Sequence, residues 1–339
     1  MRFNIDDLKE KIVRLLVLHG LPKGQADAAT DCYVTADACG VKTHGLAIMQ
    51  SHLNKINEGL YNLNPKIEIE KCTHAFAVVD SDNSIGPYSA SYCMKLAMEH
   101  AKQEGIFTVF SKNCNTYGPA FYYTKLATDH NMIGITCCNT PAAMAPWGSY
   151  EKLIGTNPFA AGIPGLKKGP VLLDFATSKV AKSKINQARM AENKIPEDWA
   201  LDLNGNKTTD PLEAIKGVVL PMADYKGYGI ALVIDMLSGI LSGAAYADGV
   251  NKFYSEDGKP MNVGQLFVAI DPEIVLSNAF FGCVDDYIEK IHSCKTVNGI
   301  KPLYPGEQKK KHYEDSILNG IDYNDSEADT IFTLLKEVR

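Results

Sequence analysis

The segment "GVKTHGLAIMQSHL", residues 41–54, sets His44 between the hydroxyl of Thr43 and Gly45. Histidine is the side chain best suited to exchange a proton near neutral pH, and a neighbouring hydroxyl can orient its ring. The competing reading is a structural histidine at a helix start. Four further segments combine tight turns with polar side chains. "KNCNTYGPAFYY" (112–123) runs from a strand through Asn115 and Thr116 into a helix opening at Gly118, either an anion-binding start or a plain helix cap. "PWGSYEKLIGTNPFAAGIPG" (146–165) crowds glycines and prolines around Thr156 and Asn157. "LDFATSKVAKSKI" (173–185) places Ala176, Thr177 and Ser178 after a strand and follows them with Lys179, Lys182 and Lys184. These lysines either meet a phosphate or carboxylate or form a solvated helix face. "LPMADYKGYG" (220–229) sets Lys226 beside an apolar stretch, where a charge usually has a partner.

The elements that must position these residues are mixed. Helical spacing marks 6–19, 25–38 and 45–58, which places His44 at the start of a helix, where free backbone N–H groups disfavour a cation. Beyond residue 70 come β-rich runs at 76–82, 105–112, 133–139 and 170–176. Helical segments at 88–104 and 118–130 lie among them, so the chain reads as an α/β protein. Residues 228–243 are apolar on nearly every side and predict a buried helix, with Gly239 and Gly243 permitting close packing. Residues 308–338 are helical again, so the end of the chain is expected to pack with its beginning. The division expected is a helical domain of residues 1–70 joined by 300–339, and an α/β dinucleotide and substrate domain of 71–299.

Composition narrows the function. The chain has 339 residues, 45% hydrophobic and 22% charged, which suits a soluble protein with a large core. Its net charge of −6 argues against a nucleic-acid binder, and the basic run "KKKH" at 309–312 reads as a solvated helix face. His52 and His130 read as surface residues. The amphipathic opening "MRFNIDDLKEKIVRLLVLHG" resembles neither a signal peptide nor a membrane span, so a cytoplasmic protein without membrane attachment is expected. Nine cysteines at irregular spacing, with no C-x-x-C pair, indicate buried thiols rather than a metal site or a disulfide framework. There is no G-x-G-x-x-G turn and no Walker loop, so any nucleotide is bound without the Rossmann glycines.

Taken in order, "ADACGVKTHG", "NSIGP", "IGTNPFAAGIPG", "LDFATS", "WALDLNGNKTTDP", "KGYGIALVIDMLSGILSGA", "GQLFVAIDP" and "YPGE" resemble the malate/L-lactate dehydrogenase family. The resemblance runs through nearly the whole chain. It implies a non-Rossmann α/β fold with a central mixed sheet, a homodimer, and hydride exchange between NAD or NADP and the C2 centre of a small 2-hydroxy/2-oxo acid. NAD is the weakly favoured carrier. His44 matches the family's proton donor, Thr43 stands where serine is usual, and Lys184 completes the catalytic set. Thr140, Asp174, Phe175, Ala176, Thr177, Ser178, Lys226, Gly306 and Glu307 match cofactor-contacting positions. Ile48, Thr116 and Asn157 fall at the substrate.

Departures from the family pattern are informative. Most relatives carry arginine where this chain has Ile48 and histidine where it has Thr116, and a frequent glycine is replaced by Phe121. An arginine can clamp a carboxylate bidentately, so its loss predicts a less basic pocket that disfavours a dicarboxylate. Cyclic-imine reductases of the family tend to carry aspartate where Lys184 stands, which favours an oxo acid. The alternatives are a cyclic-imine reductase and a dinucleotide-binding relative that has lost catalysis.

Overall fold

The computed structural model describes residues 1–253 and 258–338. It opens with β1 (Arg2–Phe3), α1 (Ile5–Leu18) and α2 (Lys23–Ala38). Asn4 starts α1 because its side-chain oxygen accepts the first-turn N–H groups of Asp6 and Asp7. Two short 3-10 turns, Lys42–His44 and Leu46–Ile48, then precede α3 (Met49–Asn57). The continuous helix expected over 45–58 is therefore broken, and His44 closes a turn instead of opening an α-helix. Asp37 is the cause. Its Oδ2 accepts the Leu46 N–H at 3.1 Å, and a Cβ on Gly45 would lie 1.8 Å from its Oδ1.

Next come β2 (Glu68–Cys72), β3 (Phe76–Asp80), α4 (Gly86–Glu104), β4 (Ile106–Cys114), α5 (Ala120–Thr128), β5 (Ile133–Cys138), β6 (Phe159–Ile163) and β7 (Val171–Phe175). A smaller lobe follows with α6 (Lys182–Met190), β8 (Ala200–Leu201), α7 (Pro211–Lys216), β9 (Val218–Val219) and α8 (Tyr225–Asp235). The chain then returns through β10 (Val263–Ile270), α9 (Pro272–Leu276), α10 (Ala279–Ser293), α11 (Glu307–Asn319), β11 (Ile321–Asp322) and α12 (Asp325–Leu334). Seven strands form one mixed sheet in the order β2-β3-β4-β10-β5-β6-β7, parallel only between β3 and β4. The main core joins the sheet to the helices of both ends, from Leu8 and Ile12 through Val109 and Phe267 to Ile331 and Leu335. β1 pairs with β11, Phe3 opposite Ile321, so the end of the chain does pack with its beginning. A second core of Met144, Ile154, Val180, Ile185, Ala200 and Ala231 holds the smaller lobe together.

Three expectations fail here. The segment 228–243 is not buried all round. α8 and the π-helical turn Met236–Ile240 that follows it expose Ile230, Val233, Leu237 and Ile240 along one side. Only the other side is packed, with Ser238 and Gly239 so close to β10 that a Cβ on Gly264 would lie 1.7 Å from the Ser238 carbonyl oxygen. His52 is fully buried, its ring nitrogens 2.7 Å from the Tyr33 hydroxyl and 2.8 Å from the Tyr61 hydroxyl. Burial pushes its pKa down to about 3. The run at 309–312 is not simply solvated either. Lys309 lies over the Phe121 ring, Lys310 donates to the Lys168 and Gly169 carbonyls, and Lys311 pairs with Glu307. His130 lies at the surface as expected.

Candidate active site

Val41, just ahead of the turn carrying His44, packs with Phe121 of α5 and Leu172 of β7, and the charge of Asp174 at the end of β7 reaches His44. His44 is exposed, with Nδ1 3.0 Å from the Thr43 hydroxyl. Surrounding protein nevertheless desolvates it and holds its pKa below the ordinary value, while the charge of Asp174 opposes that shift. The lowered basicity thus comes from desolvation rather than from an α-helix start. Asp174 stands half-buried on β7 and accepts the Phe121 N–H at 3.2 Å. Burial raises its pKa, against the pull of that N–H, of Lys309 and of His44. Lys309, 5.4 Å from the centre of the Phe121 ring, adds a cation that the sequence reading left at the surface.

The turn itself is fixed from behind. Buried Asp37 accepts Leu46 N–H and the Tyr323 hydroxyl, the latter at 2.6 Å. Nothing local in the sequence marks Asp37 as this anchor, because its partner arrives from the other end of the chain.

The remaining expected residues divide into open and engaged groups. Thr140 and Asn157 are together, but Asn157 is fully buried. Its Oδ1 accepts the Thr140 N–H at 2.9 Å and its Nδ2 donates to the Ala231 carbonyl at 2.9 Å. That amide ties the 140 loop to α8, with both its polar atoms bonded inside the protein. Phe175 packs on Phe159, with ring centres 5.8 Å apart. Thr177 is buried. Its N–H donates to Thr156 and its carbonyl accepts the Met222 N–H, which brings the loop leading into α8 and Lys226 against the strand end. Ser178 donates to the Val180 carbonyl. Lys226 is exposed and pairs with no acid among the described residues. Gly306 has φ +91° and abuts β7, where a Cβ would lie 2.8 Å from the backbone nitrogen of Leu172. Glu307 is buried. Burial raises its pKa, but hydrogen bonds from Lys311 and His292 outweigh this and hold it at about 2. Gly306 therefore seats α11 on β7, and Glu307 ties α11 to α10 through His292. Ile48 packs against the main core, and the Thr116 carbonyl lies so near Gly86 that a Cβ there would stand 1.9 Å away. Lys184 is exposed on α6.

The half-buried strand end at Asp174–Ala176 and the ammonium of Lys226, in the first turn of α8 and paired with no acid among the described residues, fit a dinucleotide. Among the described residues no helix is long and apolar enough to cross a membrane.

Comparison with known proteins agrees with this geometry. The signature of the family described as malate/L-lactate dehydrogenase spans residues 3–331. The chain is 37% identical to the L-sulfolactate dehydrogenase of Methanocaldococcus jannaschii over 90% of its own length and 88% of that protein's. The solved structure of that enzyme superposes with a TM-score of 0.90, covering 99% of this chain and 97% of the other. A malate dehydrogenase of Pyrococcus horikoshii is 38% identical, covering 86% of this chain and 82% of its own. The NAD(+)-dependent ureidoglycolate dehydrogenase of Escherichia coli O157:H7 is 30% identical, with 96% and 93% covered. With its mixed sheet, its histidine-bearing turn and its full-length likeness to dehydrogenases of small hydroxy acids, the chain is an NAD(P)-dependent oxidoreductase of small hydroxy and oxo acids and belongs to the malate/L-lactate dehydrogenase family.

Proposed function

We propose that His44 exchanges the proton at the C2 oxygen of a 2-hydroxy/2-oxo acid. The supporting observation is its setting, an exposed titratable residue, partly desolvated, with Thr43 on one nitrogen and the charge of Asp174 nearby. With Nδ1 beside Thr43, Nε2 is the nitrogen that faces substrate. A lowered pKa leaves the ring neutral at pH 7, ready to take the hydroxyl proton during oxidation. In reduction the ring must first be protonated, and the carboxylate of Asp174 favours that form. The bound nicotinamide supplies or accepts the hydride at C2. Lys226 and Thr140 hold the dinucleotide, Lys226 at the start of α8 where anions are favoured, and Lys184 meets the substrate's C1 carboxylate. We take NAD as the carrier, in keeping with the name of the ureidoglycolate relative. The exposed apolar ridge of α8 supports a homodimer that covers it.

The test is His44→Ala assayed with pyruvate and NADH. Turnover is expected to fall by about 10²–10⁴-fold, the contribution of a positioned acid, with little change in the NADH Kd. Near wild-type turnover removes His44 from the reaction. Lys226→Ala is expected to weaken NADH binding. Including piperideine-2-carboxylate and NADPH in the panel separates the imine-reductase reading and the choice of carrier.

A further inference from the structure

A recess of about 320 Å³ opens behind the His44 turn, between α6 and α12. That volume lies in the range of roughly 300–1,000 Å³ typical of small-molecule sites. Thr43 forms part of its wall, and the Thr43 hydroxyl stands 3.0 Å from His44 Nδ1. The recess therefore lies on the side of the ring away from Nε2 and is not the place of the reacting carbon.

The acids in its wall have oxygens to spare. Asp37 is 2% exposed; its Oδ2 accepts both the Leu46 N–H and the Tyr323 hydroxyl, but its Oδ1 accepts nothing. Glu327 accepts from Lys42 at 2.8 Å and from the Asn324 N–H at 2.9 Å, both on Oε2, which leaves Oε1 without a donor among the described residues. Lys42 is the one cation of the wall among the described residues, and it also donates to the Asp322 carbonyl. One ammonium thus serves two carboxylates, and a buried carboxylate oxygen without a donor is costly. Opposite them α6 presents Ser183, Asn186 and Gln187, whose side chains make no hydrogen bond among the described residues. They add carbonyl and hydroxyl acceptors and no charge. Ala47 and Ile331 supply an apolar strip. An anion meets repulsion in such a space. A guanidinium brings only donors, in a planar fork that suits carboxylate and carbonyl oxygens, and it keeps its charge when partly desolvated.

We propose that this recess is a second ligand site, separate from those of substrate and dinucleotide, and that it takes a small organic cation, a guanidinium on a short aliphatic stem. Asp37 and Glu327 hold the charged head from one side and Asn186 and Gln187 from the other, with the stem on Ala47 and Ile331. A cation behind Thr43 disfavours the imidazolium form of His44, so it slows reduction without competing for the oxo acid. Only that kinetic consequence rests on the role proposed for His44.

The probe is ethylguanidinium, with propionate as an anion of similar size, each titrated by calorimetry into the intact enzyme at pH 8, where Asp37 is ionised. Saturable binding of ethylguanidinium, and none of propionate, is expected. Asp37→Asn keeps an acceptor for Leu46 and Tyr323 but carries no charge, and Gln187→Lys puts an ammonium into the recess from an exposed helix position. Each is expected to weaken binding by about tenfold or more. In the reduction of pyruvate by NADH the probe is expected to lower kcat and leave the KM for pyruvate unchanged. Absence of binding, equal binding of propionate, or an affinity unmoved by the substitutions overturns the site. Inhibition that raises the KM with kcat unchanged overturns it too, because it puts the probe on the substrate side of His44. Near wild-type turnover in His44→Ala overturns the catalytic reading instead, and the binding measurements then decide the site by themselves.

Discussion

The Tyr323 hydroxyl donates a 2.6 Å hydrogen bond to Asp37 Oδ2, the same oxygen that accepts the N–H of Leu46 two residues beyond His44. The last part of the chain thus fixes the shape of the reactive turn. A hydrogen bond to a charged group contributes about 1.5–3 kcal/mol. Tyr323→Phe is expected to lower stability within that range and to reduce turnover more than dinucleotide affinity. Chemical denaturation alongside steady-state kinetics checks both, and an unchanged turnover removes the anchoring role.

Burial raises the Asp37 pKa to about 7, against hydrogen bonds from Tyr323 and Leu46 and the charge of Lys42, with Glu327 adding to the rise. The folded value lies above the unfolded one, so the folded chain holds the proton more tightly. That stabilisation is complete below the unfolded pKa of about 4 and is lost as pH climbs through 7. Asp37→Asn keeps an acceptor for both donors but cannot ionise. Its urea midpoint is expected to gain on that of the parent between pH 5 and pH 8, and a constant difference across that window contradicts the assignment.

The His44 pKa lies below its ordinary value because of desolvation, and Asp174 limits the fall. Oxidation needs the neutral ring, so its kcat/KM is expected to drop as pH falls through a value below 6.5; reduction drops as pH rises through it. Asp174→Asn removes the opposing charge. Both limbs are then expected to move to lower pH, and a shift to higher pH rules out the coupling.

Ile48 supplies no counter-charge where most relatives have arginine. Ile48→Arg, alone or with Thr116→His, is expected to raise the oxaloacetate-to-pyruvate ratio of kcat/KM. Because Ile48 packs on the core, a thermal scan of each variant accompanies the kinetics. A folded variant with an unchanged ratio separates position 48 from substrate choice.

Ala223 and Asp224 both have positive φ, +47° and +57°, just ahead of Lys226. Such conformations cost side-chain-bearing residues about 1–3 kcal/mol each. Asp224→Gly, at an exposed position, is expected to stabilise the protein by about 1 kcal/mol, read as a rise in Tm. A fall in Tm shows that the aspartate side chain offsets its own backbone.

What could be read from the sequence was local. The first two helices and the four β-rich runs declare themselves by periodicity, and ordered motifs identify the His44 turn and the β7 end. β2 was missed because "EIEKC" is a solvent-exposed edge strand with no apolar alternation, and β6 because "FAAGI" is made largely of small residues. The break before α3, the burial of His52 and the inward role of Lys309 all depend on partners distant in the chain. The α8 ridge misled for another reason: a helix apolar all round reads the same whether all of its surface is packed or only one side.

The clasp between the ends also orders events in time. Tyr323 and Asp37 are separated by 286 residues. A ribosome therefore releases the turn that carries His44 long before it releases the clasp. The sheet can assemble around a turn whose geometry is still unset, and the histidine takes up its working position only when the final segment docks. Trimming the protein back past Tyr323 removes the clasp together with Ile331, Leu334 and Val338 of the main core, so activity and stability are expected to fall together.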